Sequence, residues 1–167
     1  ELALAYASYV GVAYSAGTIE RGALDGTAYL TDAANALDRV AMAHPDAKAR
    51  VEAHRGYLYD AAGKPSEALA SFRTSMAAQP NLDALEPLST RLTDATGLAE
   101  LDGYCTSTLA AANSEDERYR VLRTCAQARA GAGDYDALLP WATPAERRFF
   151  ATEYEAELVA AEAEAAA

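Results

Sequence analysis

The chain has 167 residues, 51% apolar and 23% charged, which is enough for a real core and too apolar for disorder over most of its length. Its formal net charge of −11 argues against partners rich in phosphate, so nucleic acid and anionic membrane surfaces are poor candidates. Alanine abounds and β-branched residues are sparse, a mix that favours helix because Ala loses no side-chain entropy there. No apolar run approaches the ~20 residues that a membrane helix requires. The chain opens at Glu1 rather than Met, so we expect either a processed N-terminus, as a removed signal peptide would leave, or an excerpt of a longer chain.

Gly and Pro punctuate the chain at the intervals of helical hairpins. A first apolar segment, Leu2 to Ala16, ends at Gly17, and a polar stretch from Thr18 to Gly26 follows. A second predicted helix covers Ala28 to Ala43, with Leu30, Ala33, Ala34, Leu37, Val40 and Ala41 on one face. His44-Pro45 stops it, because the residue before a proline is pushed out of helical geometry. A third runs from about Asp46 to Ala62, ended by Gly63, and a fourth begins at Pro65 and ends before Gln79-Pro80. The fifth starts near Asn81 or Leu85, with Pro87 expected in its first turn rather than its interior. Gly97 is expected to separate it from a sixth, about Leu98 to Ala112. Ser114-Glu115-Asp116-Glu117 is a capping box that opens the seventh, which Gly131 to Gly133 ends. A short eighth, Asp134 to Trp141, precedes a second capping box, Thr143-Pro144-Ala145-Glu146, and a ninth helix that continues into an acidic tail. That tail, 151–167, holds five Glu and no base, which reads as a solvated helix or, more sharply, as an acidic docking segment. Strand-period alternation does not compete with this all-α reading.

Gly56, Tyr59, Gly63, Ala68, Phe72 and Pro80 fall at offsets 0, 3, 7, 12, 16 and 24. This spacing resembles the tetratricopeptide repeat over the 34 residues from Ala49 to Leu82. The family's early aromatic is absent; Glu52 and Arg55 stand near its usual Trp and Leu sites. Weaker units flank the good one. Val10-Gly11 and Tyr14 with Ala33, Leu37, Val40 and Pro45 form one, interrupted by about ten extra residues. Leu82 to Ala112 is a degenerate repeat, and Cys125, Gly133, Ala137 and Trp141 mark another. The resemblance implies a tetratricopeptide-like α-solenoid of about four hairpins plus a C-terminal capping helix, as a single helical-repeat domain over 1–167. A general helical bundle is the alternative, distinguished by contacts between hairpins that are not sequence neighbours.

Cys105 shares the apolar side of its helix with Leu98, Leu101, Leu109 and Ala112, and Cys125 lies with Val121 and Ala128 on the next. In an antiparallel hairpin turning near Asn113, at about 1.5 Å of rise per residue, the two would differ in height by only a few Å. That places a Cys105–Cys125 disulfide within reach and implies a periplasmic or extracellular setting. Two small core thiols, in a cytoplasmic protein, are the competing reading. The spacing excludes CxxC redox and haem motifs.

His44 and His54 make no recognised metal spacing with their neighbours, and no nucleophile elbow, P-loop or dinucleotide glycine motif appears. We therefore expect no cofactor, no metal and no catalytic residues, with a carboxylate-pair hydrolase as the remote enzymatic alternative. The resemblance instead implies a concave wall that holds an extended peptide. It places Arg50, Tyr57 and Asp60 on that wall, joined by Arg91, Tyr119 and Arg129 from later repeats; the family's Lys/Asn carboxylate clamp is not reproduced. Ten Tyr in so Ala-rich a chain add support for a surface buried by a partner. The leading expectation is a non-enzymatic protein–protein scaffold, an accessory subunit of a larger extracytoplasmic assembly. The alternative is a module that captures a peptide or small ligand on the concave face.

Overall fold

Helices joined by short links make up what the structure describes. The structure is a computed structural model, and it describes residues 28–131. Among the described residues there are six α-helices and no strand: α1 (Ala28–Ala43), α2 (Lys48–Ala61), α3 (Pro65–Ala78), α4 (Leu82–Ser89), α5 (Ala95–Ala111) and α6 (Glu115–Gly131). The predicted first, eighth and ninth helices, the second capping box and the acidic tail lie outside the described residues. The chain divides into two compact units with the boundary between Arg91 and Leu92.

In the first unit, a 3-10 turn at Pro45–Ala47 links α1 to α2, so the predicted helix from Asp46 starts two residues later, at Lys48. Leu30, Ala33 and Leu37 of α1 close a core with Val51, Leu58, Ala61 and Ala62. Arg55 adds a 2.6 Å ion pair to Asp38 across the same two helices. Helix α2 ends in a Schellman turn: the Lys64 N–H donates to the Tyr59 carbonyl at 2.9 Å and the Gly63 N–H to that of Asp60 at 3.0 Å. Gly63 sits at φ 75°, in the left-handed region where an L side chain is strained. Pro65 then occupies the first turn of α3, where its missing N–H costs nothing.

The hairpin closes tightly because Gly56 has no side chain. A Cβ there would lie 2.5–2.7 Å from Cε1, Cδ1 and Cζ of Phe72, whose side chain is fully buried. Ala68, a second small residue of the hairpin, is also fully buried. The end of α3 is knotted to what precedes and follows it. Ser75 Oγ, at no exposure, donates to the Ala49 carbonyl at 2.7 Å and accepts from Asn81 Nδ2 at 3.0 Å. Asn81 Oδ1 in turn caps α4 by accepting the Ala84 N–H at 2.9 Å.

Helix α4 carries Pro87 in its interior rather than in its first turn, against expectation. Proline cannot donate to the carbonyl four residues back, which here belongs to Asp83. The Tyr57 hydroxyl of α2 donates to that carbonyl at 2.9 Å and replaces the lost bond. The local rule against interior proline is thus overridden by a tertiary hydrogen bond.

In the second unit, Asp94 caps α5 by accepting the Gly97 N–H at 2.6 Å. Gly97 is therefore inside the first turn, not a separator. It is required by close approach, since a Cβ would meet the Leu92 Cα at 2.8 Å. Ser114 caps α6 as expected, with the Glu117 N–H donating to its Oγ at 3.1 Å; the Glu117 carboxylate reaches back one residue further, to the Asn113 N–H at 2.9 Å. Leu98, Leu101 and Cys105 of α5 and Val121, Leu122, Cys125 and Ala126 of α6 are buried. Among the described residues no helix is long and apolar enough to cross a membrane.

Candidate functional site

Three of the residues expected on a binding wall gather around Phe72 in the first unit, and each has an intramolecular role. Asp60 lies in the last turn of α2 and is 6% exposed. Its Oδ2 pairs with Arg91 Nη2 at 2.8 Å. The Arg91 guanidinium also donates from Nη1 to the Pro87 carbonyl at 2.6 Å and stands 5.4 Å from the centre of the Phe72 ring. Tyr57 packs with that ring in a T-shaped arrangement, with centroids 5.2 Å apart and planes at 77°. Phe72 therefore has a T-shaped aromatic partner and a cation beside it, both favourable quadrupole contacts.

Burial pushes the Tyr57 hydroxyl up to about 12, reinforced by the negative charges of Glu86 and Asp83 and opposed by Arg91. Burial likewise lowers His54, one turn earlier on α2, below the usual histidine range; the nearby Asp83 charge resists this and Arg50 assists it. Protonating His54 is thus disfavoured in the folded state.

Beside the Asp60–Arg91 pair is an open hollow of about 290 Å³, lined by Asp60, Pro65, Ser66, Leu69 and Arg91. It sits where α2 turns into α3. A satisfied ion pair forms one side, a hydroxyl and two apolar side chains the other. That combination suits contact with a neutral polar backbone better than capture of a bare charge, because the carboxylate and guanidinium offset one another. Pro65, Ser66 and Leu69 were not foreseen as lining residues, since only the folded turn brings them beside Asp60.

The other expected residues are placed differently. Arg50 is exposed on α2. Tyr119 is half-buried on α6 of the second unit. Arg129, near the end of α6, is 8% exposed; its Nε donates to Asp102 Oδ1 at 3.2 Å, its Nη2 pairs with Asp102 Oδ2, and it reaches the Leu98 carbonyl at 3.4 Å. Asp102 escaped notice in the sequence, although it lies one turn before Cys105. The two sulfurs of Cys105 and Cys125 lie at disulfide-bonding distance, with Cα atoms 6.2 Å apart. This falls within the range that a disulfide spans without backbone movement. Among the described residues no cluster of three or more His, Cys, Asp or Glu side chains could hold a metal ion.

No protein-family model, no curated protein and no solved structure matches the chain.

Proposed function

We propose that this chain is a tetratricopeptide-like helical-repeat scaffold, built to hold proteins together rather than to catalyse, and that it serves as an accessory subunit of an assembly outside the cytoplasm. The observation that supports this reading is the close α2–α3 hairpin, with small residues and a glycine turn at the spacing that resembles the repeat. Gly56 admits Phe72, Gly63 makes the left-handed turn, and Ala68 is fully buried. Helix α4 packs against both α2 and α3, and Tyr57 bonds it directly, which is compatible with a following repeat. The cysteine pair supports an oxidising compartment. Purification from the native source tests the function: a chain of defined stoichiometry is expected to co-elute with it, and recovery as a lone monomer under gentle conditions counts against a scaffold.

A second reading rests on the hollow beside Asp60 and Arg91, which would hold a stretch of peptide. Tyr57→Ala or Arg91→Ala is a poor test, because both side chains support α4 from within. Ser66→Trp fills the hollow from an exposed position at its rim. Loss of peptide-induced thermal stabilisation in that variant, with its own melting temperature unchanged, is the expected result.

A further inference from the structure

Two cross-links lie one helical turn apart between α5 and α6. Asp102 precedes Cys105 by three residues and Arg129 follows Cys125 by four, so each pair shares a helix face. Both sulfurs are sealed: Cys105 is 0% exposed and Cys125 1%. Arg129 is nearly as deep, and a buried guanidinium is tolerated only while acceptors remain on it. Two of its acceptors, the Asp102 carboxylate and the Leu98 carbonyl, lie across the hairpin on α5.

A thiol reductant must approach one sulfur directly, and the closed hairpin gives it no path. Opening has to come first, and opening draws Arg129 away from Asp102. We propose that the Asp102–Arg129 pair gates reduction of the Cys105–Cys125 disulfide, making residues 95–131 a redox-responsive unit that is shut when oxidised and loosened when reduced. In the step itself, a dithiol's thiolate attacks one sulfur and the S–S bond breaks. The other cysteine leaves as a thiolate and takes a proton. The reductant's second thiolate then displaces the remaining cysteine from the mixed disulfide. Two electrons pass to the protein, and the reductant departs as its cyclic disulfide. Residues 28–91 hold no cysteine, so the reaction has no direct target there.

The test uses the full chain with dithiothreitol under native conditions, trapping new thiols with iodoacetamide and counting them by mass. Asp102→Asn is expected to release thiols about tenfold faster, since it removes the ion pair that ties the largely buried Arg129 guanidinium to α5 across the hairpin. Arg129→Lys, which keeps the charge, is expected to fall between that variant and the wild type. Wild-type rates in both variants overturn the gate. Hydrogen exchange on the wild-type chain, oxidised against reduced, needs no substitution. Faster exchange within 95–131 alone is expected. Faster exchange spread equally over 28–91, or none anywhere, overturns the redox-responsive unit.

Discussion

Gly56 and Phe72 set how near α2 and α3 can come, and the contact has little slack. The ring that a new methyl would strike is fully buried, with Tyr57 packed against it at a steep angle and Arg91 over it, so it cannot swing aside freely. Gly56→Ala should therefore destabilise by about 1–3 kcal/mol, the usual cost of overpacking, despite its better helix propensity. Adding Phe72→Leu should recover part of the loss, which paired urea titrations can check. Tyr57 gives a second handle. Its folded value of about 12 lies above the ordinary 10, so the protonated hydroxyl favours the fold below pH 10. That contribution is lost as pH rises from about 10 through 12. Absorbance near the tyrosinate band should show a late-titrating component that Tyr57→Phe removes. At this scale the sequence was readable where sterics dictate a residue type, as at Gly56, Gly63, Ala68 and Phe72. Asp60, Arg91 and Arg129 were expected on a concave wall; their intramolecular partners were not legible, because a charged side chain's sequence position does not reveal which acceptor it will find. That depends on which backbone passes nearby.

Among the helices, the boundaries set by proline and by capping residues agree with local rules. Helix α1 runs Ala28–Ala43 and α3 starts at Pro65, both as expected. The differences occur where a neighbouring element takes over a local duty. Pro87 stays inside α4 because α2 supplies the donor it lacks. Gly97 enters α5 because Asp94, not Gly97, begins the helix. A double-mutant cycle tests the first case. Tyr57→Phe should cost about 0.5–1.5 kcal/mol in the wild type, the range of a single net hydrogen bond. In a Pro87→Ala background the restored amide can bond to the Asp83 carbonyl, and the same substitution should cost measurably less. Equal costs in the two backgrounds would mean that the hydroxyl does not stand in for the missing amide.

For the whole molecule, the helical class follows from composition and periodicity, because Ala-rich segments with a 3.6-residue apolar period have few other ways to bury that face. How hairpins stack was less legible, since it depends on side-chain fit between faces that no local pattern encodes. The cysteines are the clearest long-range feature the sequence offered. Helical rise alone brought Cys105 and Cys125 to similar heights, and the structure holds their Cα atoms 6.2 Å apart. A loop of this size contributes about 3 kcal/mol in the chain-entropy account. Protein from its native source, denatured without reductant, should therefore show no reactive thiol; two would place the chain in a reducing compartment and remove the extracytoplasmic proposal.

The Ser75 knot has a bearing on where the molecule can be lengthened. Ala49, Ser75 and Asn81 converge through two short hydrogen bonds, and the same Asn81 opens α4. One extra residue between Gln79 and Asn81 would turn α4 by about 100° relative to its seat if absorbed helically, or pull Asn81 off Ser75 if not. Tags, insertions and new chain ends therefore do not belong in that link, short as it is; there, length itself is information.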